Sequence, residues 1–417
     1  MILSKYANVK YPKNILTKYP INEYTSIHSN TCWFNNTHHL SSKLQVPKLI
    51  DTDKKVTKCR KIEVTFTPNQ RNIMQQWFKL YKSVYNIAIH QANKNGLYNF
   101  IKLRALVKPM YKTLYEGEIK NCQIPIHTLD NAIRDVCKAY VSARGNLCAG
   151  NITHFNLRPK RKCNNKETIV IEGSSFSKVK NGFAIRVLDT VKTSESILGY
   201  KRDTRLTFDK RNNKYYMFIV IDTLKQIKLH CDTECALDPG LRTFQTSYDK
   251  KNYLDLGVNT MDQIKPILIK IDKVTKFKGK KWHKRYTRRL RLKISNMVDD
   301  LHWQTANFLT KRYNEITIGK LSTSIVSKKG NMSPMNKRLY YALSHFTFRQ
   351  RLKHKCNERN VKYKEQCESY TTKKCGKCGK LNEVGIAKIF NCIYCKFSCG
   401  RDLNGARNIM IRKDLRL

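Results

Sequence analysis

The sequence has few acidic residues and no long apolar run. Its 417 residues include 31 Asp and Glu against 81 Lys and Arg, which gives a formal net charge of +50. No run of about 18 consecutive apolar residues occurs, so we expect no transmembrane helix. The first residues also lack the apolar core of a signal peptide. Neither a secreted nor a membrane-spanning protein is therefore expected.

The excess of positive charge is the clearest signal in the composition. Hydrophobic residues make up 41% of the chain, which indicates folded domains rather than a disordered polycation. A folded chain of this charge repels itself unless a polyanion neutralises it. We therefore expect nucleic acid as the partner, bound through many phosphate contacts. From charge alone, a ribosomal-type basic protein is the alternative, and a membrane surface is less expected.

Four of the fifteen cysteines have the spacing of a zinc site. Cys375 and Cys378 form one C-x2-C pair, Cys392 and Cys395 form another, and thirteen residues separate the pairs. Two tight turns that each offer two thiolates can close one tetrahedral Zn²⁺, so we predict a structural zinc knuckle. Disulfides or free thiols are the alternative, and Cys399 could compete as a ligand. The scattered spacing of the other cysteines suits a reducing compartment.

The order of the predicted elements describes an α+β protein with several domains. Alternating strands are interrupted by helices, the first of which begins with a capping box of Thr67 and Gln70 and carries aromatic residues at helical spacing. A later series of three strands, a helix from about 262 to 312, a strand, a helix around 335–358, a strand and a last helix is typical of an RNase H-like layer. We predict the following segments: a polar N-terminal extension over 1–57, a β-barrel over 58–68 and 152–230, a helical insertion over 69–151, an RNase H-like domain over 231–417, and a zinc-binding insertion over 371–399.

Residues 276–293 form the most basic segment of the chain. They include ten Lys and Arg and no acid, on a predicted long helix. Like charges at this density repel each other strongly without a polyanion, so we favour phosphate contact over a merely solvated face. The cluster KGKKWHKR within this segment could also act as a nuclear import signal. Nearby His302 is interpreted as a core histidine rather than a phosphate contact.

Two aspartates stand out against this basic background. Asp238 ends an apolar strand before Pro239-Gly240, and Asp402 opens the last helix. An Asp at a helix start is usually a cap, but an acid near phosphate requires a cation between the two charges. Mg²⁺ takes one or two carboxylates together with phosphate oxygens. Two such ions about 3.5–4 Å apart would stabilise the attacking water and the leaving 3′ oxygen of a hydrolysis.

These motifs carry a family resemblance. Residues 58–417 resemble the TnpB/Fanzor family of transposon-encoded RNA-guided nucleases, which are relatives of type V CRISPR effectors. The segment ALDPGLRTF resembles the first RuvC motif, with Asp238 as a metal ligand. The segment CGRDLNGARNIMIR resembles the third, with Asp402 as a ligand and with Asn404 and Asn408 in its pattern. The C-x2-C pairs resemble the zinc finger inserted before that third motif. The segments IEVTFTPNQ and WFKLYKSVYNIAI are similar to the N-terminal strand and first recognition helix of the family.

The sequence departs from this family at the second acid. Bacterial TnpB proteins carry a Glu on the strand that matches EITIGKL, where this chain has Gly319. Glu315 is on the same strand face, but roughly 13 Å away at the rise of a strand. The resemblance to Fanzor proteins implies a relocated acid, Glu368 in ESYTTKK. Glu365 is the alternative.

The resemblance implies an RNA-guided DNA endonuclease. The barrel and the helical insertion would hold the heteroduplex between an omega-type guide RNA and target DNA, and one RuvC domain would cut both strands in turn. Asp238, Glu368 and Asp402 would bind two Mg²⁺, and the four knuckle cysteines would bind one Zn²⁺. We expect a monomeric ribonucleoprotein, nuclear if the source is eukaryotic or viral and otherwise cytoplasmic.

Two other functions remain open from the sequence. The first is a guide-directed binding protein without cleavage, which Gly319 motivates. The second is a guide-independent nuclease or transposition accessory factor.

Overall fold

A computed structural model describes residues 27–28, 48–161, 165–228, 233–250, 252–321, 332–385 and 387–415. The chain divides into two compact units, a first unit of Met1–Val56 with Leu224–Leu417 and a second unit of Thr57–Thr223. Most of the predicted extension over 1–57 lies outside the described residues. Within the described ranges, no helix combines the length and apolar character needed to cross a bilayer.

The second unit combines three long helices with most of a five-stranded sheet. After β1 (Ile27–His28) of the first unit, the elements are β2 (Leu49–Thr65), α1 (Pro68–Asn95), α2 (Phe100–Cys122), α3 (Ile126–Cys148), β3 (Lys166–Ile171), α4 (Ile185–Leu188), β4 (Lys192–Thr193), β5 (Thr204–Asp209) and β6 (Lys214–Lys228). The strand order is β3-β5-β6-β2-β4. The three helices follow β2, where the helical insertion is predicted. Because β3 and β4 are the ends of this order, the pairing does not establish a closed barrel, which stays a prediction.

Helix α1 begins where its sequence predicts. The Thr67 side chain accepts a hydrogen bond from the backbone N–H of Gln70 at 3.3 Å, and the Gln70 side chain accepts one from the backbone N–H of Thr67 at 3.0 Å. This is a capping box, with Pro68 in the first turn. The helix buries Trp77 completely, and its indole N–H donates to the Cys122 carbonyl at 2.9 Å. The aromatic spacing of α1 therefore marks a core face.

The first unit contains a mixed six-stranded sheet with helices on both faces. Its further elements are β7 (Glu234–Pro239), β8 (Gln245–Tyr248), β9 (Tyr253–Leu256), α5 (Thr260–Lys273), α6 (Lys281–Arg312), β10 (Glu315–Gly319), α7 (Pro334–Leu343), α8 (His345–Glu358), β11 (Lys362–Gln366), β12 (Ile389–Asn391), β13 (Ser398–Gly400) and α9 (Arg401–Asp414). The strand order is β1-β9-β8-β7-β10-β11. Strands β7, β8 and β9 form an antiparallel meander, and β10 is parallel to both β7 and β11.

Two predicted helices are each divided in the structure. The helix expected from about 262 to 312 breaks before α6 at Gly279, whose φ of 106° is a left-handed conformation that glycine adopts without strain. The helix expected around 335–358 breaks between α7 and α8 at Ser344, which has a φ of 47°. Neither break disturbs the predicted order of strands and helices.

The alternation of side chains along β7 determines what each face of this sheet carries. Leu237 belongs to a core cluster with residues of α5, α6, α7 and α8. Ala236 belongs to a different cluster, with Tyr248 and with Ala406 and Ile409 of α9. Since successive residues of a strand point to opposite faces, Asp238 shares the α9 face with Ala236.

Candidate active site and metal centre

Asp238 and the last helix meet on that face. Asp238 is buried at the end of β7, and a Cβ atom built on Gly405 of α9 would lie 2.9 Å from its carboxylate carbon. Only a glycine lets the helix backbone come this close to the carboxylate. Asp402 lies in the first turn of the same helix, one turn before Gly405. The packing of α9 on β7 therefore brings together two acids that are far apart in the sequence.

Glu368 fills the space that a side chain at residue 319 would occupy. Glu368 follows β11 by two residues. A Cβ atom built on Gly319 would lie 2.8 Å from Oε2 of Glu368 and 3.1 Å from Cδ of Pro239. The carboxylate thus lies at the end of β10, beside the residue that follows Asp238. This is the place where the family resemblance implies the second acid.

The alternative, Glu365, lies on the other face of the sheet. In the β10–β11 register Glu365 is opposite Ile318, whereas Gly319 is opposite Gln366. The Glu365 carboxylate accepts a hydrogen bond from the Tyr363 hydroxyl at 2.8 Å and lies 3.9 Å from Nε of Arg349. Strand alternation therefore separates Glu365 from Asp238.

Glu315 also lies away from this site. It begins β10, and its carboxylate forms ion pairs with Lys362 at 3.3 Å and with Lys364 at 2.8 Å. It also pairs with Lys413 at 3.4 Å. These lysines hold Glu315 at the opposite end of β10 from Gly319.

Burial raises the pKa values of all three acids, and the charges of the other two raise that of Asp238 further. Burial, and then the charges of Glu368 and Asp402, raise the pKa of Asp238 well above its usual range. Burial raises the pKa of Glu368 to about 7, and burial and then the charge of Asp255 raise that of Asp402. A cation between such carboxylates favours their ionised forms. This environment fits Mg²⁺, which prefers carboxylate oxygens.

The acids are nevertheless spread more widely than ligands of a single ion. Among the residues that the structure describes, only a group of four cysteines has ligand atoms that all lie within 4.8 Å of one another. A pair of ions about 3.5–4 Å apart spans a wider set of carboxylates than one ion does. This wider spacing is consistent with the predicted pair of Mg²⁺.

Stability of the metal-free protein should depend on pH through Glu368. Its folded-state pKa of about 7 exceeds the ordinary value of 4.5, so protonated Glu368 contributes stability that is fully present below pH 4.5 and lost as the pH rises through about 7. We expect wild type to lose about 3 kcal/mol relative to Glu368→Gln between pH of about 5 and 8. Thermal denaturation of both proteins with and without Mg²⁺ measures this. Parallel pH curves in the absence of metal would contradict it, and Mg²⁺ should reduce the difference at the higher pH.

The four cysteines of the predicted knuckle form the tightest ligand group. Cys375 Sγ lies 3.7 Å from Cys395 Sγ, and Cys378 Sγ lies 3.6 Å from Cys392 Sγ. Four sulfurs about 2.3 Å from a tetrahedral Zn²⁺ lie roughly 3.8 Å apart, so the geometry fits zinc. Cys399 is outside this group. Burial raises the pKa of its thiol to about 12, which opposes the thiolate form that a ligand requires.

The two asparagines of the last motif connect the knuckle to α9. Asn404 accepts a hydrogen bond from the backbone N–H of Gly376 at 2.9 Å and donates to the Lys374 carbonyl at 2.7 Å. Asn408 donates to the carbonyls of Thr371 at 2.7 Å and Lys374 at 2.8 Å. Both side chains thus hold the backbone that leads from Glu368 to Cys375. The knuckle, Glu368 and Asp402 are therefore parts of one connected structure.

Removal of zinc should weaken Mg²⁺ binding at a site that contains no cysteine. Zinc would fix Cys375 at one end of the 371–376 segment, whose backbone is hydrogen-bonded to Asn404 and Asn408. Without zinc, this end of the segment is no longer fixed. We expect the affinity for Mg²⁺ to fall roughly tenfold or more, as when an outer partner of a metal site is lost. Calorimetric titration of Mg²⁺ into Cys375→Ser and wild type tests this. Cys399→Ser is the control and should retain both metals, and equal Mg²⁺ affinity in all three proteins would contradict the connection.

The structure adds two residues that the sequence did not single out. Asp255 of β9 accepts a hydrogen bond from Oγ1 of Thr246 at 2.7 Å, and Thr246 is opposite Asp238 in the sheet. The pKa of Tyr340 is raised mainly by burial and further by the charges of Glu368 and Asp238. Its phenol therefore lies near these two acids. The period-two pattern of YLDLG could have revealed Asp255, but no sequence signal pointed to Tyr340. His302, in contrast, is buried as expected, with Nε2 2.8 Å from the Leu343 carbonyl oxygen.

Comparison with known proteins shows what this chain is similar to. A family model described as "Cas12f1-like, TNB domain" matches residues 345–409. TnpB-like protein L770 of Acanthamoeba polyphaga mimivirus is 29% identical over 376 residues, which cover 84% of this chain and 72% of that protein. Putative transposase A625R of Paramecium bursaria Chlorella virus 1 is 28% identical over 388 residues, which cover 86% of this chain and 87% of that protein.

More distant matches are to Cas12 proteins. CRISPR-associated endodeoxyribonuclease Cas12f1 of Sulfoacidibacillus thermotolerans is 26% identical over 125 residues, or 29% of each chain. A cryo-EM structure of a Cas12f1-sgRNA-target DNA complex aligns with 85% of this chain and 98% of that chain, at 14% identity and a TM-score of 0.33. The family model over 345–409 and the sequence matches over most of the chain confirm the predicted resemblance to TnpB-like proteins.

Proposed function

We propose that the protein is an RNA-guided DNA endonuclease of the Fanzor branch of this family. The observation that carries the proposal is the position of Glu368. Its carboxylate takes the space beside Gly319 at the end of β10, near Asp238 of β7 and Asp402 of α9. A chain that had lost cleavage would have no need of a second acid at this point. The position of Glu368 therefore supports the nuclease over the binding-only alternative, which Gly319 motivates.

In this proposal residues 231–417 form a RuvC-like nuclease domain. Asp238, Glu368 and Asp402 would hold two Mg²⁺, which supply an activated water and neutralise charge on the transferred phosphate. The protein's own contribution is to hold the three carboxylates in place. Gly405 allows α9 to approach Asp238, and the knuckle fixes the segment after Glu368. Burial raises the pKa of each of these acids, and bound cations would stabilise their ionised forms.

Nucleic acid binding rests on charge and exposure. The basic run predicted over 276–293 reaches into α6, where Lys281, Lys284, Arg285, Arg289 and Arg291 are exposed. Phosphates of a guide RNA and its DNA target would neutralise them. Base pairing with a transposon-derived omega-type guide would select the target, and the protein would recognise the backbone and a short flanking motif. The segments over 58–68 with 152–230 and over 69–151 would act as wedge-like and recognition domains.

The test is guide-directed cutting by the purified protein. We expect an RNA of defined sequence to co-purify as a monomeric ribonucleoprotein, and a plasmid matched to its 3′ or 5′ end to be cut when Mg²⁺ is present. A plasmid with a scrambled target is the matched control. The mechanism is excluded if Asp238→Ala cuts as well as wild type. Target binding without nicking in Mg²⁺ or Mn²⁺ would favour the binding-only protein, and RNA of random sequence would favour a transposition accessory factor. Nuclear localisation in a eukaryotic cell remains part of the proposal.

A further inference from the structure

A cavity of about 600 Å³ opens beside Asp402 in the first unit. It lies between the β9–α5 connection and the start of α9, and Asp402 is one of its walls. This volume is in the range of pockets that bind small organic molecules. The three proposed metal ligands do not account for it, because Asp238 and Glu368 are not among the residues that line it.

The cavity lining includes three basic residues together with three acids, Asp255, Asp262 and Asp402. The basic residues are Arg242, Lys388 and Arg401. Arg242 and Arg401 line the same cavity as the Asp402 carboxylate. Arg401 is fixed in place by a hydrogen bond from Nη1 to the Gly385 carbonyl at 2.7 Å. These cations are positioned for an anion that lies next to the acids.

Four further lining residues suit a flat, mostly apolar group. They are Tyr253, Val258, Met261 and Leu403, and each is only partly exposed. Asn259 is at the rim and offers an amide to polar ring edges. An inorganic anion alone would have no use for this apolar wall. A nucleotide combines a phosphate with a base that stacks on aromatic and apolar side chains.

We propose that the cavity binds one unpaired nucleotide of the strand being cut, next to the scissile phosphate. This inference rests on the proposed function. The cations would hold the phosphate that neighbours the reacting one, and the base would lie against Tyr253 and Met261. A base that is still paired in a duplex cannot enter such a cavity. The cavity would therefore restrict cutting to a strand that the guide has already displaced.

Binding of a short single strand tests the cavity without any cutting. A fluorescent DNA pentamer is titrated into the guide-bound complex in Ca²⁺, with Lys388→Glu compared with Lys270→Glu. Lys270 is an exposed residue of α5 outside the cavity, and its substitution changes the charge equally. We expect Lys388→Glu to weaken binding about tenfold and Lys270→Glu to weaken it less than about twofold. Equal losses in the two variants would overturn the proposal.

Cutting of strands that lack one base tests the apolar wall. Targets carry an abasic site at successive positions around the cut. In wild type we expect one position next to the cut to slow cleavage about tenfold, within the energy of one stacked base. In Met261→Trp, whose larger side chain would fill the cavity, the intact strand should be cut slowly. An abasic site should then slow cutting no further. Met261→Ala is the second variant, and in it the abasic site should also slow cutting less than in wild type.

The outcomes separate this inference from the function on which it rests. No sensitive abasic position in wild type, or an unchanged penalty in both Met261 variants, overturns the cavity proposal while the nuclease stands. If wild type cuts no DNA, the proposed function fails. The pentamer titration then still decides whether the cavity binds a nucleotide.

Discussion

Returning the acid to residue 319 is expected to rescue a protein that has lost Glu368. Glu368→Ala should reduce cutting by more than about 100-fold. The loss of an outer partner of a metal site already costs up to about 100-fold, and the loss of a proposed ligand should cost more. The double variant Glu368→Ala/Gly319→Glu should recover at least about tenfold of that loss. The physical reason is that both side chains reach the same space at the end of β10. Rates of cutting of a matched target measure the effect.

The single variants make this test specific. Gly319→Glu alone should also cut poorly, because its Cβ would lie 2.8 Å from Oε2 of Glu368, a separation that something must relieve. Recovery in the double variant is expected to be partial, since Pro239 Cδ at 3.1 Å and Ile409 Cδ1 at 3.2 Å would remain close to the new Cβ. Glu365→Gln is the control and should cut like wild type. Loss of cutting in Glu365→Gln, with normal cutting in Glu368→Gln, would show that the assignment is wrong.

A single methyl group on α9 is expected to inactivate the protein. The Cβ atom of Gly405→Ala would lie 2.9 Å from Cγ of Asp238, nearer still to one of its oxygens, and 3.4 Å from Cγ2 of Thr372. Either α9 or Asp238 must move, and a shift of about 1 Å at a catalytic group can reduce the rate about 100-fold. The displaced helix also carries Asp402. Cutting rates and thermal unfolding of Gly405→Ala measure both consequences.

Gly117→Ala is the matched control for this substitution. Gly117 is also a helical glycine, and nothing lies within 4 Å of the Cβ built there. Alanine is the better helix former, so this variant should be more stable by about 0.5–1 kcal/mol and should cut normally. Normal cutting by Gly405→Ala would contradict the close approach of α9 to Asp238.

Motif spacing predicted the parts of the site that depend on local sequence. The cysteine spacing gave the knuckle because each pair of ligands comes from one tight turn. Asp238 and Asp402 could be found because each ends or begins an element in a chain with few acids. The three-strand meander and the later alternation of helices and strands followed from hydrophobic periodicity. These features need no knowledge of distant contacts.

The choice between Glu365 and Glu368 could not be made from periodicity alone. It depends on which residue of β11 lies opposite Gly319, and a register shift of one residue exchanges the two faces of a strand. The contribution of Tyr340 has a similar origin, since it depends on how α7 packs over the acids. The division of the two predicted helices was missed for a different reason. Ser344 adopts a left-handed conformation, which helix propensity does not predict.

The crowding at Gly319 also limits how such proteins can diverge. A descendant that gained an acid at 319 while keeping Glu368 would place two like charges and two side chains in one small volume. A descendant that lost Glu368 first would have no second acid at all. Each order of single changes therefore passes through an impaired ancestor, so the two placements of this acid should persist as separate lineages rather than interconvert freely.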